Sequence, residues 1–309
     1  MTGERFITNS ELSTFKECRR KWWMSYVRRL KKRRDDGGSR AARTGTLVHD
    51  ILESYYRDPH RDASAAIQRL RQVRSMDPDA EQYVDEYVLA DTMVEGYFQW
   101  LAETGADQEL RIVAVEEKIT CPAPSPFDEA GVQLLGKLDL IAENVNDGTL
   151  LTLDHKTVQT FDRVVALLPM NEQSRHYAAI QGRNNPDRPL QGSIWNMLRK
   201  VKRSARSKPP FYMRTEMRWN PQQMRVFWGR LRGEIAALFS LERDLQSGAD
   251  PHEVAYPTPS TDCTWKCEFY AVCPLMDDPR TDSEALIDAM YVVGDPLARY
   301  TEQEEAPDA

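Results

Sequence analysis

Three apolar runs follow one another in the middle of the chain: RIVAVEEKI at 111–119, VQLLGKLDLIAE at 132–143 and TLLTLDH at 149–155. Runs of this length, rich in β-branched residues and leucine, predict consecutive strands. The proline-rich residues 122–126 and Asn146–Gly148 supply turns between them. Strands joined by such short connections pair as neighbours in a meander, and that constrains what the rest can form. The flanking sequence reads as mostly helical. Asn9–Leu30 is expected to be one helix, capped by Ser10 or Ser13, with Leu12, Phe15, Trp22, Trp23 and Tyr26 on its apolar face. A loop at Arg33–Ser39 and a helix at about Thr46–Arg57 follow. From Ala63 to Thr104 the spacing of Tyr83, Tyr87, Val94, Phe98 and Leu101 predicts a helical insertion or cap, its aromatic stripe packed in a core. Asn171–Gln181 reads as helix and Phe211–Arg218 as a further strand. Asn220 then caps a helix from Pro221 to about Leu245. The fold class is α/β, built on a mixed sheet.

Chemistry is concentrated on the second and third strands. Gly136-Lys137-Leu138-Asp139 lies on one, and Asp154-His155-Lys156 closes the apolar run of the other. Hydrolysis of a phosphodiester needs carboxylates that hold a hard divalent cation beside the phosphate. Neighbouring strands can each deliver one such side chain on a rigid support. Lys156 lies two residues after Asp154, so in a strand it returns to the same face. A lone Asp-x-Lys is common and usually means a surface ion pair. Preceded by Gly-x-x-Asp on the neighbouring strand, it is far more specific. His49 offers a neutral imidazole early in its helix. Glu116 on the first strand can approach Asp139, with Glu117 as its competitor. Gln173 and Tyr177 share one helical face at i and i+4, where an amide and a phenol can grip a phosphate and stack on a sugar or base.

The cysteines form a second pattern. Cys263, Cys267 and Cys273 have the spacing C-x3-C-x5-C, and Cys18 lies near the other end of the chain. Four thiolates suit zinc or iron–sulfur. Zinc sites more often pair two C-x2-C hooks, whereas a one-plus-three split points to a 4Fe–4S cluster tying the two ends together. Cys121 reads as a free thiol.

Charge is strongly segregated. The net charge is −7, yet residues 16–43 carry 12 Lys and Arg against 3 Asp and Glu, and residues 199–214 carry 7 basic residues and no acidic one. Basic surfaces on an acidic body suit a polyanion, because each phosphate contact releases counterions. Lys202 and Arg203 in the second segment are expected to line a DNA path, with a mobile loop as the rival reading. The acidic stretch 277–309 reads as disordered in its second half. The first residues lack the apolar segment of a secretory signal, and no run of 18 apolar residues occurs. The expectation is a cytoplasmic protein without a membrane partner.

Taken together, these motifs resemble the RecB-type PD-(D/E)XK nucleases that carry an iron–sulfur cluster, a group with CRISPR-associated, AddB-type and phage-encoded members. The stretch from Ile7 to Trp22 resembles the opening helix of that family, with Arg19 where a proline is usual, and C-x3-C stands where C-x2-C is frequent. The resemblance implies a restriction-endonuclease-like core. His49, Asp139 and Asp154 would be ligands of Mg2+ or Mn2+, Lys156 the catalytic lysine and Glu116 an auxiliary acid. Gln173 and Tyr177 would contact DNA. Cys18, Cys263, Cys267 and Cys273 would hold a 4Fe–4S cluster. It also divides the chain: 1–44 with the first cysteine and a basic segment, 45–110 helical, 111–220 the nuclease core, 221–276 a helix and the three-cysteine segment, 277–309 the tail. The implied activity is a metal-dependent DNA nuclease, an exonuclease on single-stranded DNA or duplex ends. Its partner would be a helicase, a recombinase or a CRISPR-adaptation protein. The competing reading is a DNA-processing subunit that uses fold and cluster only to hold DNA. A third, a zinc-stabilised structural protein, leaves the carboxylates unexplained.

Overall fold

The computed structural model describes residues 4–33, 40–124, 131–204 and 206–300. Residues 34–39 of the expected loop and 301–309 of the acidic tail lie outside that range. In chain order the elements are β1 (Arg5–Thr8), α1 (Asn9–Glu17), α2 (Arg19–Trp22), a π-helical turn (Trp23–Val27), β2 (Leu30–Lys32), α3 (Arg40–Arg57), α4 (Ala63–Met76), α5 (Val84–Thr104), β3 (Leu110–Pro122), β4 (Val132–Asn144), β5 (Leu150–Val158), α6 (Phe161–Leu167), α7 (Gln173–Asn184), β6 (Leu190–Arg199), β7 (Tyr212–Arg218), α8 (Pro221–Gln246), α9 (Pro251–Val254), α10 (Ser283–Met290) and β8 (Tyr291–Val293). They form two compact units. The first gathers Met1–Asp36, Thr120–Leu135 and Arg225–Ala309, and the second Gly37–Ile119 and Gly136–Met224.

The second unit is built on the expected mixed sheet. β4 pairs antiparallel with β5, β5 parallel with β6, and β6 antiparallel with β7, while β3 also pairs with β4. A parallel pair needs a crossover, and the chain from α6 through α7 supplies it. β6 is a strand that periodicity does not reveal, as are the short β1, β2 and β8. Gly192–Leu198 is buried at every position, so its sequence reads as a continuous run without alternation. One face of the sheet presents Leu140, Leu151, Leu153 and Ile194 to Val48, Ile51 and Leu52 of α3 and to Met93, Val94 and Tyr97 of α5. Each such side chain contributes about 1.5–3 kcal/mol on burial. Within residues 63–104, expected as a helical insertion or cap, α5 packs with α3 against this face of the sheet. The expected aromatic stripe is core, with Tyr83, Tyr87, Val94, Phe98 and Leu101 all buried.

In the first unit β1 pairs parallel with residues 132–135 of β4, and β2 pairs antiparallel with β8. The N-terminal helix is not continuous. Cys18 adopts extended backbone (φ −163°, ψ 118°), which ends α1, and its Sγ accepts the Lys21 N–H at 3.5 Å as the cap of α2. Trp22 is fully buried and donates through Nε1 to Glu11 Oε1 at 3.1 Å. Glu11 is itself buried and is answered by the Arg5 guanidinium, which also reaches Glu242 at 2.9 Å. An ionised carboxylate left alone there would cost several kcal/mol. Arg20 is likewise buried and binds Asp277 with two bonds of 2.9 and 2.8 Å. That ties the N-terminal segment to the start of the acidic tail. Residues 277–300 go on to form α10 and β8, and Arg28 pairs with Glu284 at 2.6 Å. Among the described residues no helix is long and apolar enough to cross a membrane.

Candidate active site

The site lies in the second unit, where the β4–β5 ladder stops. The last paired residues are Leu140 and Leu153, and the next position on each strand is a carboxylate, Asp139 and Asp154. The backbone N–H of His155 donates to Asp139 Oδ2 at 2.8 Å. β5 itself continues to Val158, paired with β6, so Asp154 sits in mid-strand and is buried. Lys156, two residues on, returns to the same face as expected. Its ammonium is in ion-pair contact with Asp154 and lies 5.2 Å from the centre of the Trp195 ring. On the other side Gln173 Nε2 donates to Asp154 Oδ1 at 3.2 Å and to the Tyr177 hydroxyl at 3.0 Å.

His49 arrives from α3, with Nδ1 3.5 Å from Asp139 Oδ2. Desolvation lowers its pKa, helped by the Lys156 charge and opposed by Asp154 and Glu116. The ring keeps 31% exposure, which limits the desolvation. The neutral imidazole that results is the form that ligates a metal. Glu116, rather than Glu117, faces this cluster: Glu117 is exposed, whereas Glu116 is partly buried and pairs with Lys137 at 2.8 Å. Burial raises the Glu116 pKa, Lys137 pulls it back and Asp139 pushes it up. Its backbone is left-handed (φ 51°), a conformation that costs a non-glycine residue about 1–2 kcal/mol and tends to be retained at functional sites. Lys137 received no role from the sequence, although its position two residues before Asp139 places it on the same face of β4. The sequence motifs give His155 no role either. It is buried, its pKa is pushed well below the ordinary value by desolvation, and it pairs with Asn196.

The structure thus brings Asp139, Asp154, Lys156, His49, Glu116, Gln173 and Tyr177 together. Tyr177 departs from expectation in one respect. It is only 5% exposed, so its ring offers no free face for stacking. Two of the donor types, carboxylate oxygen and imidazole nitrogen, suit a hard or borderline divalent cation. In this arrangement they are engaged with one another and with Lys156. Among the described residues no group of three or more His, Cys, Asp or Glu side chains converges on a single ion.

Lys202 and Arg203, sought as DNA ligands, have partners of their own. Lys202 reaches Asp85 at 2.7 Å, an acidic neighbour that the sequence segment did not contain. Arg203 stacks on Phe211 at 3.9 Å and donates to the Tyr212 hydroxyl at 2.8 Å.

In the first unit Cys18, Cys263, Cys267 and Cys273 line one cavity of about 230 Å³, with Arg20, Lys21, Tyr270 and Asp277 on its walls. Backbone N–H groups of Lys21 (3.5 Å) and Thr258 (3.4 Å) point at Cys18 Sγ, and that of Ser260 (3.4 Å) at Cys263 Sγ. Burial raises the thiol pKa of Cys267 and of Cys273, and Arg20 opposes the shift at Cys273. The buried Cys121 is not among the cavity residues.

A family model described as the PD-(D/E)XK nuclease superfamily matches residues 7–274 of the chain. Among solved structures, a candidate exonuclease from Eubacterium rectale is 10% identical over 98% of this chain and 94% of that one, with a TM-score of 0.48. An alkaline exonuclease from Laribacter hongkongensis is 13% identical over 59% of this chain and 91% of that one, with a TM-score of 0.30. No curated protein matches.

Gly136 explains how α7 comes close enough for Gln173 to reach Asp154. A Cβ at Gly136 would stand 2.8 and 2.9 Å from two atoms of the Tyr177 ring. Gly136→Ala should therefore displace that ring and destabilise the fold by about 1–3 kcal/mol, read from the denaturant midpoint. Adding Tyr177→Ala should remove the clash, so the double variant should lose less than the two single losses combined. Strict additivity would show that Gly136 does not serve this contact.

Proposed function

The chain belongs to the PD-(D/E)XK nuclease superfamily, and from that premise we propose that it is a divalent-metal-dependent deoxyribonuclease whose centre is Asp139, Asp154 and Lys156. The observation that carries this reading is their juxtaposition. Two carboxylates stand at the end of one ladder, with a lysine ammonium against one and an imidazole beside the other. Asp139, Asp154 and His49 would hold Mg2+ or Mn2+, the imidazole favouring Mn2+. When bound, such an ion polarises the phosphate and lowers the pKa of a water. Lys156 keeps a positive charge beside Asp154, where it can donate to a phosphate oxygen as negative charge builds. Gln173 orients Asp154 by its bond to Oδ1, and Tyr177 steadies Gln173. Glu116 is the auxiliary acid, held by Lys137.

The finer reading is an exonuclease on single-stranded DNA or duplex ends, acting in recombination, repair or CRISPR-related processing with a helicase, recombinase or adaptation partner. It rests on the resemblance to RecB-type nucleases. Lys202 contributes to the DNA path in this reading. Its pair with Asp85 is exposed on both sides, so exchanging Asp85 for a phosphate costs little. Arg203, stacked and hydrogen bonded, is the less available of the two.

A 4Fe–4S cluster in the four-cysteine cavity belongs to the same proposal. What supports it is that the four thiols line one cavity and that N–H groups are aimed at two of the sulfurs. Its role would be to tie Cys18 to the segment that starts 245 residues later.

Asp154→Ala should lower metal-dependent cleavage of linear DNA by roughly 10²-fold or more, with DNA binding nearly intact. Near-normal cleavage would remove Asp154 from the centre. Cys267→Ala should yield colourless, poorly soluble protein, whereas the anaerobically purified parent should absorb near ~400 nm, as iron–sulfur thiolates do. Full iron content in that variant would exclude Cys267 as a ligand.

A further inference from the structure

On the face of the sheet turned toward α3 and α5, three polar side chains stand in one row across three strands. His155 of β5 lies directly opposite Asn196 of β6, and Asn196 opposite Arg214 of β7. All are inside: His155 is 3% exposed, Asn196 0%, and the Arg214 side chain 12%. The row runs through the otherwise apolar layer between sheet and helices, where hydrogen bonds are strong and an unanswered polar group is costly.

The bonding pattern fixes the protons. Arginine can only donate. Arg214 Nε reaches Asn196 Oδ1 at 3.1 Å, so the amide oxygen must face Arg214. The amide nitrogen then faces the Tyr97 hydroxyl at 2.9 Å and His155 Nδ1 at 2.8 Å. His155 Nδ1 must therefore accept, and its proton sits on Nε2, which has no hydrogen-bond partner among the described residues. The far end is pinned too. Arg214 reaches Asp107 at 2.7 Å and the Tyr97 hydroxyl at 2.8 Å.

The near end meets the candidate centre at two points. The backbone N–H of His155 holds Asp139 Oδ2. Its ring stands edge-on to His49, with centroids 6.0 Å apart, and is stacked on Tyr56 of the same helix as His49, at 5.5 Å. We infer that the row Arg214–Asn196–His155 is a positioning device: it locks His155 as the Nε2–H tautomer, and the locked ring sets the orientation of His49 and the approach of Asp139. His155 is a positioning residue here, since the groups that would touch metal or phosphate are its neighbours. The inference rests on the nuclease reading for its consequence but not for its geometry.

Nitrogen-15 spectra of the imidazoles, recorded without DNA or metal, test the lock directly. His155 should appear as the pure Nε2–H form in the parent and as a tautomer mixture in Asn196→Leu. A parent spectrum showing Nδ1–H overturns the inference. The consequence is tested by turnover. His155→Phe keeps the ring but leaves Asn196 with a buried unpaired donor, so both stability and kcat should fall, kcat by about tenfold, with KM for DNA within about twofold. In the double variant Asn196→Asp/His155→Phe that donor is gone, while a carboxylate oxygen still accepts from Arg214 Nε and the other faces the Tyr97 hydroxyl. Stability should recover relative to His155→Phe while kcat stays low. Recovery of kcat together with stability would mean that the row serves only the core, and would overturn the inference. Should the single variant fail to fold, the parent spectrum still decides. A parent with no nuclease activity would sink the nuclease reading alone, leaving the tautomer as the arbiter of this one.

Discussion

The site depends on the alternation of β5. Successive side chains of a strand point to opposite faces, and a slip of one residue exchanges the two sets. In β5 the even positions Asp154 and Lys156 face Gln173 of α7, while the odd positions Leu151, Leu153 and His155 face α3 and α5. Two different neighbours hold the register. β4 pairs antiparallel as far as Leu153, and β6 pairs parallel along the whole strand. Where β4 lets go, the backbone N–H that the ladder leaves over is taken by the Asp139 carboxylate. A structural discontinuity and the acidic pair are thus the same feature.

Burying charge at such a place is costly unless each charge is answered. Asp154 is answered by Lys156 and Gln173, Asp139 by His49 and the His155 N–H, and Glu116 by Lys137. The arrangement is a set of acids each matched to a cation or donor of limited strength. The same logic governs the first unit, where Arg5 and Arg20 answer Glu11 and Asp277. Those pairs are structural. The Arg20–Asp277 pair joins two walls of the four-cysteine cavity that lie 257 residues apart in the chain.

Much of this was legible in the sequence, for reasons that can be named. β3, β4 and β5 announce themselves because apolar runs broken by turn residues have few other readings. Asp139, Asp154 and Lys156 stand out because the chemistry needs these residue types at these spacings. β6 stayed hidden because it is buried on both faces and so shows no period. The break at Cys18 was hidden because nothing in Glu17-Cys18-Arg19 opposes a helix, and the sulfur that caps α2 does so only once folded. The row of His155, Asn196 and Arg214 could not be seen at all. Its members are 41 and 18 residues apart, and only the registers of β5, β6 and β7 bring them together. Lys202 looked unopposed because its partner Asp85 is 117 residues away.

The proposed metal centre is the pair of carboxylates at the end of the β4–β5 ladder. Crystals soaked in Mn2+ and measured at the manganese absorption edge test it most directly. An anomalous peak is expected bounded by Asp139 and Asp154, with His49 beside it, and it should disappear on soaking in a chelator. A peak bound elsewhere, with none between these carboxylates, would contradict this assignment.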